Sequence, residues 1–292
     1  MTAKLKHIGI MSQNPPRLFK FYECLFDFRR ARYQYTLDYE TDLANDFGYK
    51  MLGSGRVATH FDRTIIASDG NIGVAFNRRR PGYHGGLDHF GIMVDDFEET
   101  TARLKEKYPD IGLVKRPSNR TFADHSTHDP EGNIYDLMQP GMKEAKGVWR
   151  DGEDTRKRMI THLTVRAMNP DALAEFYHDV YQLEEVERAS QDPCHYLTDG
   201  NVTLVFSPWR IENYYGTEHM GPGMDHIGYK VEDLDAFKAD VETLAATDPE
   251  WLAPKAPNLE HEYNVILGLL KGCRFGTHQL ADPEGNLIDI SE

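Results

Sequence analysis

Four short runs of this chain alternate apolar and polar residues, and each carries a histidine near its start. They are Lys6-His7-Ile8-Gly9-Ile10, Asp88-His89-Phe90-Gly91-Ile92, Thr161-His162-Leu163 and Asp225-His226-Ile227-Gly228-Tyr229. A period of two is the pattern of a half-buried strand. Each run precedes a stretch with helical spacing of apolar residues, over 17–26, 97–107, 172–181 and 234–244. Asn169-Pro170-Asp171 opens one of these with a capping Asn, Pro at the first helical position and an early acid. Turn residues mark the last strand of each unit. Asp-Gly-Asn precedes Ile72 and Val202, and Asp-Pro-Glu-Gly-Asn precedes Ile134 and Leu287. The expected fold class is α+β, built from four β-α-β-β-β units.

The units pair into two copies of one domain. His7, Asn14-Pro15 and Phe21-Tyr22 return 155 residues later as His162, Asn169-Pro170 and Phe176-Tyr177. Asp129-Pro130-Glu131-Gly132-Asn133 returns at 153 as Asp282-Pro283-Glu284-Gly285-Asn286, Asp88-His89 at 137 as Asp225-His226, and Asp69-Gly70-Asn71 at 130 as Asp199-Gly200-Asn201. Fixed elements joined by loops of unequal length give such shifting offsets. The drop from 155 to 130 places about 25 extra residues in the first copy, between Tyr22 and Asp69. The expected division is a domain at 1–142, a charged linker at 143–158 and a second domain at 159–292.

Bulk composition narrows the partners. The 292 residues hold 33 Lys and Arg against 47 Asp and Glu, a formal net charge of −14, which argues against nucleic acid. Cys24, Cys194 and Cys273 stand far apart with no CxxC pair, which fits a reducing compartment and excludes a cysteine-based zinc site. No apolar run approaches the ~18 residues of a membrane span. The first residues are charged where a signal peptide needs its apolar core. A cytoplasmic protein is expected.

Candidate chemistry comes from the strands. Residues two apart share a face, so Leu5, His7 and Gly9 are expected on one side and Ile8 and Ile10 on the other. His89 with Gly91, His162 with Thr164 and His226 with Gly228 repeat the arrangement, leaving room beside each ring. One histidine in an apolar strand is ordinarily a satisfied core residue. Four at equivalent positions point to a shared role, structural or ligating. Three residues beyond the turn asparagines stand Val74, Asp136, Leu204 and Asp289. Asp136 and Asp289 have apolar neighbours on both sides, so each needs a partner or a cation to offset desolvation; an exposed edge or an ion pair is the other explanation. The sets His7, His89, Asp136 and His162, His226, Asp289 are thus two candidate metal sites. Two imidazoles and a carboxylate with open positions suit Fe(II), with Mn(II) or Zn(II) as alternatives. Arg78-Arg79-Arg80 reads as a solvated run. Asn213-Tyr214-Tyr215-Gly216 and Glu260-His261-Glu262-Tyr263 are expected at the mouth of the second domain.

The His-opening strands, the Phe-Tyr helices and the Asp-Pro-Glu-Gly-Asn turns resemble the vicinal oxygen chelate superfamily, which includes glyoxalase I, extradiol ring-cleavage dioxygenases and bleomycin- and fosfomycin-resistance proteins. The resemblance covers nearly the whole chain and implies four βαβββ modules in two tandem domains, each cupped around a metal or ligand pocket. Glyoxalase-like sites take a carboxylate from both modules of a pair, and here Val74 and Leu204 stand at the counted positions. Tandem extradiol dioxygenases hold their metal in the C-terminal domain with two histidines and a glutamate, which map by position onto His162, His226 and Asp289. The resemblance therefore implies a metal-dependent, extradiol-type dioxygenase acting on a catechol-like aromatic with O₂. A glyoxalase-like lyase or isomerase, or a non-catalytic binding protein, is the alternative. A homo-oligomer is also expected. The chain departs from that family at three points: Asp for Glu as third ligand, Val202 near the expected acid/base histidine, and Gln279 in place of a tyrosine. His278 and His195 are the candidate acid/base residues instead, with His125 the first-copy counterpart of His278. The first copy, unlike its dioxygenase counterparts, keeps a full triad.

Overall fold

The computed structural model describes residues 3–34, 64–79, 82, 84–117, 120–142, 145–150, 157–213, 221–255 and 278–292. Arg80, Tyr214 to Gly216, Glu260 to Tyr263 and most of the extra stretch of the first copy lie outside the described residues.

In the first copy β1 (Lys4–Ser12) leads into α1 (Pro15–Phe26), then β2 (Arg29–Gln34), β3 (Thr64–Ser68) and β4 (Gly73–Arg78). Next, β5 (Gly86–Met93) leads into α2 (Phe97–Lys107), β6 (Val114–Lys115), β7 (His125–His128) and β8 (Ile134–Met138). The second copy repeats the order with β9 (Met159–Ala167), α3 (Pro170–Tyr181), β10 (Glu184–Glu185), β11 (His195–Thr198) and β12 (Thr203–Pro208). Its last unit has β13 (Gly223–Lys230), α4 (Leu234–Thr247), β14 (His278–Ala281) and β15 (Leu287–Ser291). There an isolated bridge from Lys255 to Ala281 stands where the other units have their second strand. Asn14 and Asn169 cap α1 and α3 by accepting from the amides of Arg17 and Ala172, each with Pro in the first turn. Both helices stop on a left-handed residue, Asp27 and Gln182. Among the described residues no helix is long and apolar enough to cross a membrane.

Each copy forms one mixed sheet, ordered β2-β3-β4-β1-β5-β8-β7-β6 and β10-β11-β12-β9-β13-β15-β14. The antiparallel pairs β1–β5 and β9–β13 join the two units of each copy at the sheet centre. One face of each sheet turns toward the helices and the other copy, and the helices between them share a continuous core. Phe26 of α1 stacks on Tyr229 of β13 at 4.0 Å, and the Tyr181 hydroxyl of α3 bonds that of Tyr135 in β8 at 2.7 Å. The first helix of each copy thus packs on the sheet of the other. Burying each such aromatic contributes about 1.5–3 kcal/mol.

The repeated turns close this interface. Asp282 accepts from its own turn amides, Glu284 and Asn286, with one oxygen, and from the Tyr22 hydroxyl of α1 at 2.8 Å with the other. Asp129 repeats the arrangement with Tyr177 of α3 at 3.1 Å. Glu284 accepts from Ser12, Gln13 and Asn14, and Glu131 from Met168 and Asn169. Burial pushes the Asp282 carboxyl up to about 6, against the hydrogen bonds that hold it down. The Phe-Tyr helices and Asp-Pro-Glu-Gly-Asn turns that marked the duplication are therefore partners across the domain interface.

Candidate metal centres

A bulge precedes every one of the four histidines. His7 lies opposite Gly91 but Leu5 opposite Ile92, so Lys6 is an extra residue in β1. Gly9 lies opposite His89 and Ile10 opposite Leu87, so Asp88 is extra in β5. In the second copy Thr161 and Asp225 occupy the same places. A bulge resets the alternation and re-aims the side chain beside it. Leu5 therefore joins Ile8 and Ile10 in the core, instead of sharing a face with His7 and Gly9 as the simple period predicts. The histidines turn to the face away from the helices.

The room beside each ring is specific. A Cβ on Gly9 would lie 2.3 Å from Cε1 of His89, and one on Gly228 1.7 Å from Cε1 of His162, both far inside van der Waals contact. A Cβ on Gly91 would lie 2.8 Å from that of His7. The fourth position is Thr164, whose Oγ1 lies 3.0 Å from Nε2 of His226.

Parallel pairing brings the carboxylates alongside, Asp136 in register with Gly91 and Asp289 with Gly228. The equivalent places in the other two units are Ala75, in register with Gly9, and Val205, in register with Thr164. Counting from the turn asparagine pointed one residue short: Val74 and Leu204 pair with Ile8 and Leu163 and face the core. The three-residue and five-residue turns enter their strands in opposite parity, and one residue of slip reverses the face. Among the described residues no fourth carboxylate joins either trio, and Ala75 and Val205 stand in register at its place.

The structure brings each expected trio together, with one ligand atom per residue all within 4.8 Å of one another. His7 Nε2 lies 3.1 Å from His89 Nε2, which lies 3.4 Å from Asp136 Oδ2. His162 Nε2 lies 3.5 Å from Asp289 Oδ2, and the rings of His162 and His226 are perpendicular. Donors about 2.0–2.2 Å from one ion have roughly these separations. The other ring nitrogens are held from outside the trio. Nδ1 of His7 donates to the Gly73 carbonyl at 3.0 Å, and Nδ1 of His89 to Asp88 at 2.7 Å. Nδ1 of His226 donates to Asp225, itself paired with Arg166 at 3.1 Å. Such bonds fix the tautomer that leaves Nε2 free to ligate.

Electrostatics support a cation between these groups. Burial and the neighbouring charge of His89 depress His7 to about 3. Burial opposes a charge on His89 too, but Asp136 and Asp88 outweigh it and raise it to about 10. The second centre repeats the split: burial and the charge on His226 lower His162, whereas Asp225 and Asp289 raise His226 in spite of burial. A divalent ion between the three groups of a trio would take the place of the charge that the carboxylates favour on the second histidine. Ser126 donates to Asp136 Oδ1, while Asp289 Oδ1 is buried with no hydrogen-bond partner among the described residues. Both donor sets fit a divalent metal.

The candidate acid/base histidines are not brought to the trios. His278 lies opposite Ile290, on the helix side of the sheet, where burial and Lys238 lower its pKa. His125 lies opposite Leu137 and stacks on Phe97 of α2. His195 lies opposite Phe206 and bonds Glu185 and Asp171. On those strands Gln279 and Ser126 are the residues in register with Asp289 and Asp136. Asp88 and Asp225 are orienting groups absent from the sequence expectations, although the repeated Asp-His doublet is a visible signal for them. Phe122, which no sequence pattern singles out, stacks on His7 at 4.1 Å. Residues in the expected linker join Phe122 there: Ala145 and Val148 are buried with Ile66, Ala75 and Met138, and Trp149 packs on them.

Residues 4–137 match the family described as Glyoxalase/Bleomycin resistance protein/Dioxygenase superfamily. No curated protein matches the chain. Among solved structures, the 2,3-dioxygenase LapB from Pseudomonas sp. KL28 has a TM-score of 0.61 at 13% identity, over 98% of this chain and 91% of that one. The Mn(II)-bound glyoxalase from Novosphingobium aromaticivorans has 0.58 at 13%, over 99% and 81%. A 4-hydroxymandelate synthase variant from Streptomyces coelicolor has 0.57 at 11%, over 99% and 92%. At these identities the likeness is one of fold. The first copy is thus similar to the glyoxalase, bleomycin resistance protein and dioxygenase superfamily, the second copy repeats its modules, and the whole chain shares the tandem fold of these solved structures.

Proposed function

We propose that the protein is a metal-dependent dioxygenase of the extradiol type, opening the ring of a catechol-like aromatic with O₂ at its C-terminal centre. The observation that carries this reading is the ligand set: two histidines and one aspartate, with apolar Ala75 and Val205 where a fourth carboxylate would stand. Three protein ligands leave positions for two vicinal substrate oxygens and for O₂. His162, His226 and Asp289 would hold the metal, for which the donors favour Fe(II), with Mn(II) or Zn(II) also compatible. When bound, it supplies a Lewis acid that draws the substrate oxygens together and a redox partner for O₂. The chain's own groups set the geometry. Arg166 and Asp225 fix the His226 ring, and the Thr164 hydroxyl beside Nε2 can donate a hydrogen bond at the centre.

Protein loaded anaerobically with Fe(II) should consume O₂ when given a catechol and yield a yellow ring-opened product. An oxygen electrode read alongside visible absorbance checks this across a panel of substituted catechols. Turnover that proceeds equally well without O₂ would assign a lyase or isomerase instead.

A further inference from the structure

We propose that each metal centre is positioned by a carboxylate from the opposite copy, supplied by the Asp-Gly-Asn turn. Asp199 of the second copy accepts from its own turn amides, Asn201 and Val202, with one oxygen, and from the Leu5 amide of β1 with the other at 2.7 Å. Asp69 of the first copy accepts from Asn71 and Ile72 with one oxygen, and from the Ile160 amide of β9 with the other at 2.9 Å. The exchange is reciprocal. Leu5 and Ile160 stand two residues before His7 and His162, on the far side of the bulged Lys6 and Thr161.

The location gives these bonds their consequence. A bulge is where a strand can slip, and one residue of slip would put Lys6 or Ile8 in place of His7 on the metal face. A charged acceptor on the amide just ahead of the bulge fixes the register, and such bonds are roughly twice as strong as neutral ones. Asp69 and Asp199 are therefore positioning residues: they touch no ligand atom, and each acts on the centre of the other copy.

The inference rests on the trios being metal centres, and its test separates the two ideas. Asp69→Asn and Asp199→Asn keep one oxygen for the local turn and present an amide to the strand amide that needs an acceptor. Each goes into a His89→Ala background, where only the C-terminal trio is intact, and a His226→Ala background, where only the N-terminal trio is. Zn(II) affinity is measured by competition with a chromophoric chelator, with the melting temperature of each apo form taken in parallel. Asp69→Asn should weaken the C-terminal centre about 10-fold or more, the range for outer groups that orient metal ligands, and the N-terminal centre by less than about 2-fold. Asp199→Asn should do the reverse. Where an asparagine variant fails to fold, serine replaces it, since its hydroxyl can serve the turn and is too short to reach the other copy. Losses confined to the substituted copy, equal losses at both centres, or no loss at either would overturn the proposal. Absence of Zn(II) binding before any aspartate is changed would remove the metal reading along with it.

Discussion

Replacing His226 with alanine should abolish turnover, whereas His89→Ala should leave at least part of it. His226 is one of the three proposed protein ligands at the C-terminal centre, and its ring is held by the Asp225–Arg166 pair. Two remaining ligands bind a divalent ion far less tightly, so kcat/KM should fall by more than about 100-fold, the upper end seen for outer-shell changes alone. His89→Ala should empty only the N-terminal centre. There Phe122 lies on His7, and Ala145, Val148 and Trp149 pack with it, so an aromatic substrate should meet packed side chains. Steady-state kinetics with per-chain metal content decide the matter. Melting temperatures control for the stability that a bound ion adds. Loss of turnover in His89→Ala with His226→Ala still active would make the N-terminal centre the working one.

Gly228→Ala should be nearly as damaging, although glycine binds nothing. The added methyl would overlap the His162 ring, 1.7 Å from its Cε1. The ring cannot swing away, because it is 1% exposed, and the strands cannot part without breaking the β9–β13 ladder. The apo protein should lose about 1–3 kcal/mol, the usual range for overpacking, and the C-terminal centre should lose its metal. Gly112→Ala is the control: a Cβ there meets nothing within 4 Å, and both readouts should stay unchanged. Urea denaturation of the apo form and elemental analysis of the loaded form test the pair. A Gly228→Ala protein with full metal content would mean that the His162 ring is not fixed by this contact.

Much of the fold was legible because local chemistry and global arrangement agree. Asn-Pro caps, turn residues and a period of two all pointed to the same units, and the helices begin within two residues of where the spacing placed them. What the repeat meant was harder to read. Tyr22 and Tyr177 look like core aromatics in a helix, and the turn aspartates look like turn formers. Their second function, meeting across the domain interface, depends on how two copies dock, and no local pattern encodes that.

The trios were legible because the same three residue types recur at matched offsets in both copies. The strand faces were read less well. Bulges at Lys6, Asp88, Thr161 and Asp225 break the period of two, so Leu5 was assigned to the wrong face. The same parity error picked Val74 and Leu204 over Ala75 and Val205. His278 and His195 were chosen by distance from a turn, which carries no information about the face of the sheet.

The most direct test is a calorimetric titration of apo protein with Zn(II) or Mn(II) at pH 7, run in buffers of different ionisation enthalpy. His89 is raised to about 10, so it holds a proton at pH 7 that the metal must displace, and Asp225 and Asp289 raise His226 in spite of burial. Two intact trios should take up two ions per chain, the ion at the N-terminal trio releasing about one proton. Affinity should strengthen as pH rises toward 10, where the proton on His89 no longer competes. A folded protein that takes up neither ion, or binds without releasing protons, would contradict the assignment of these residues as metal centres.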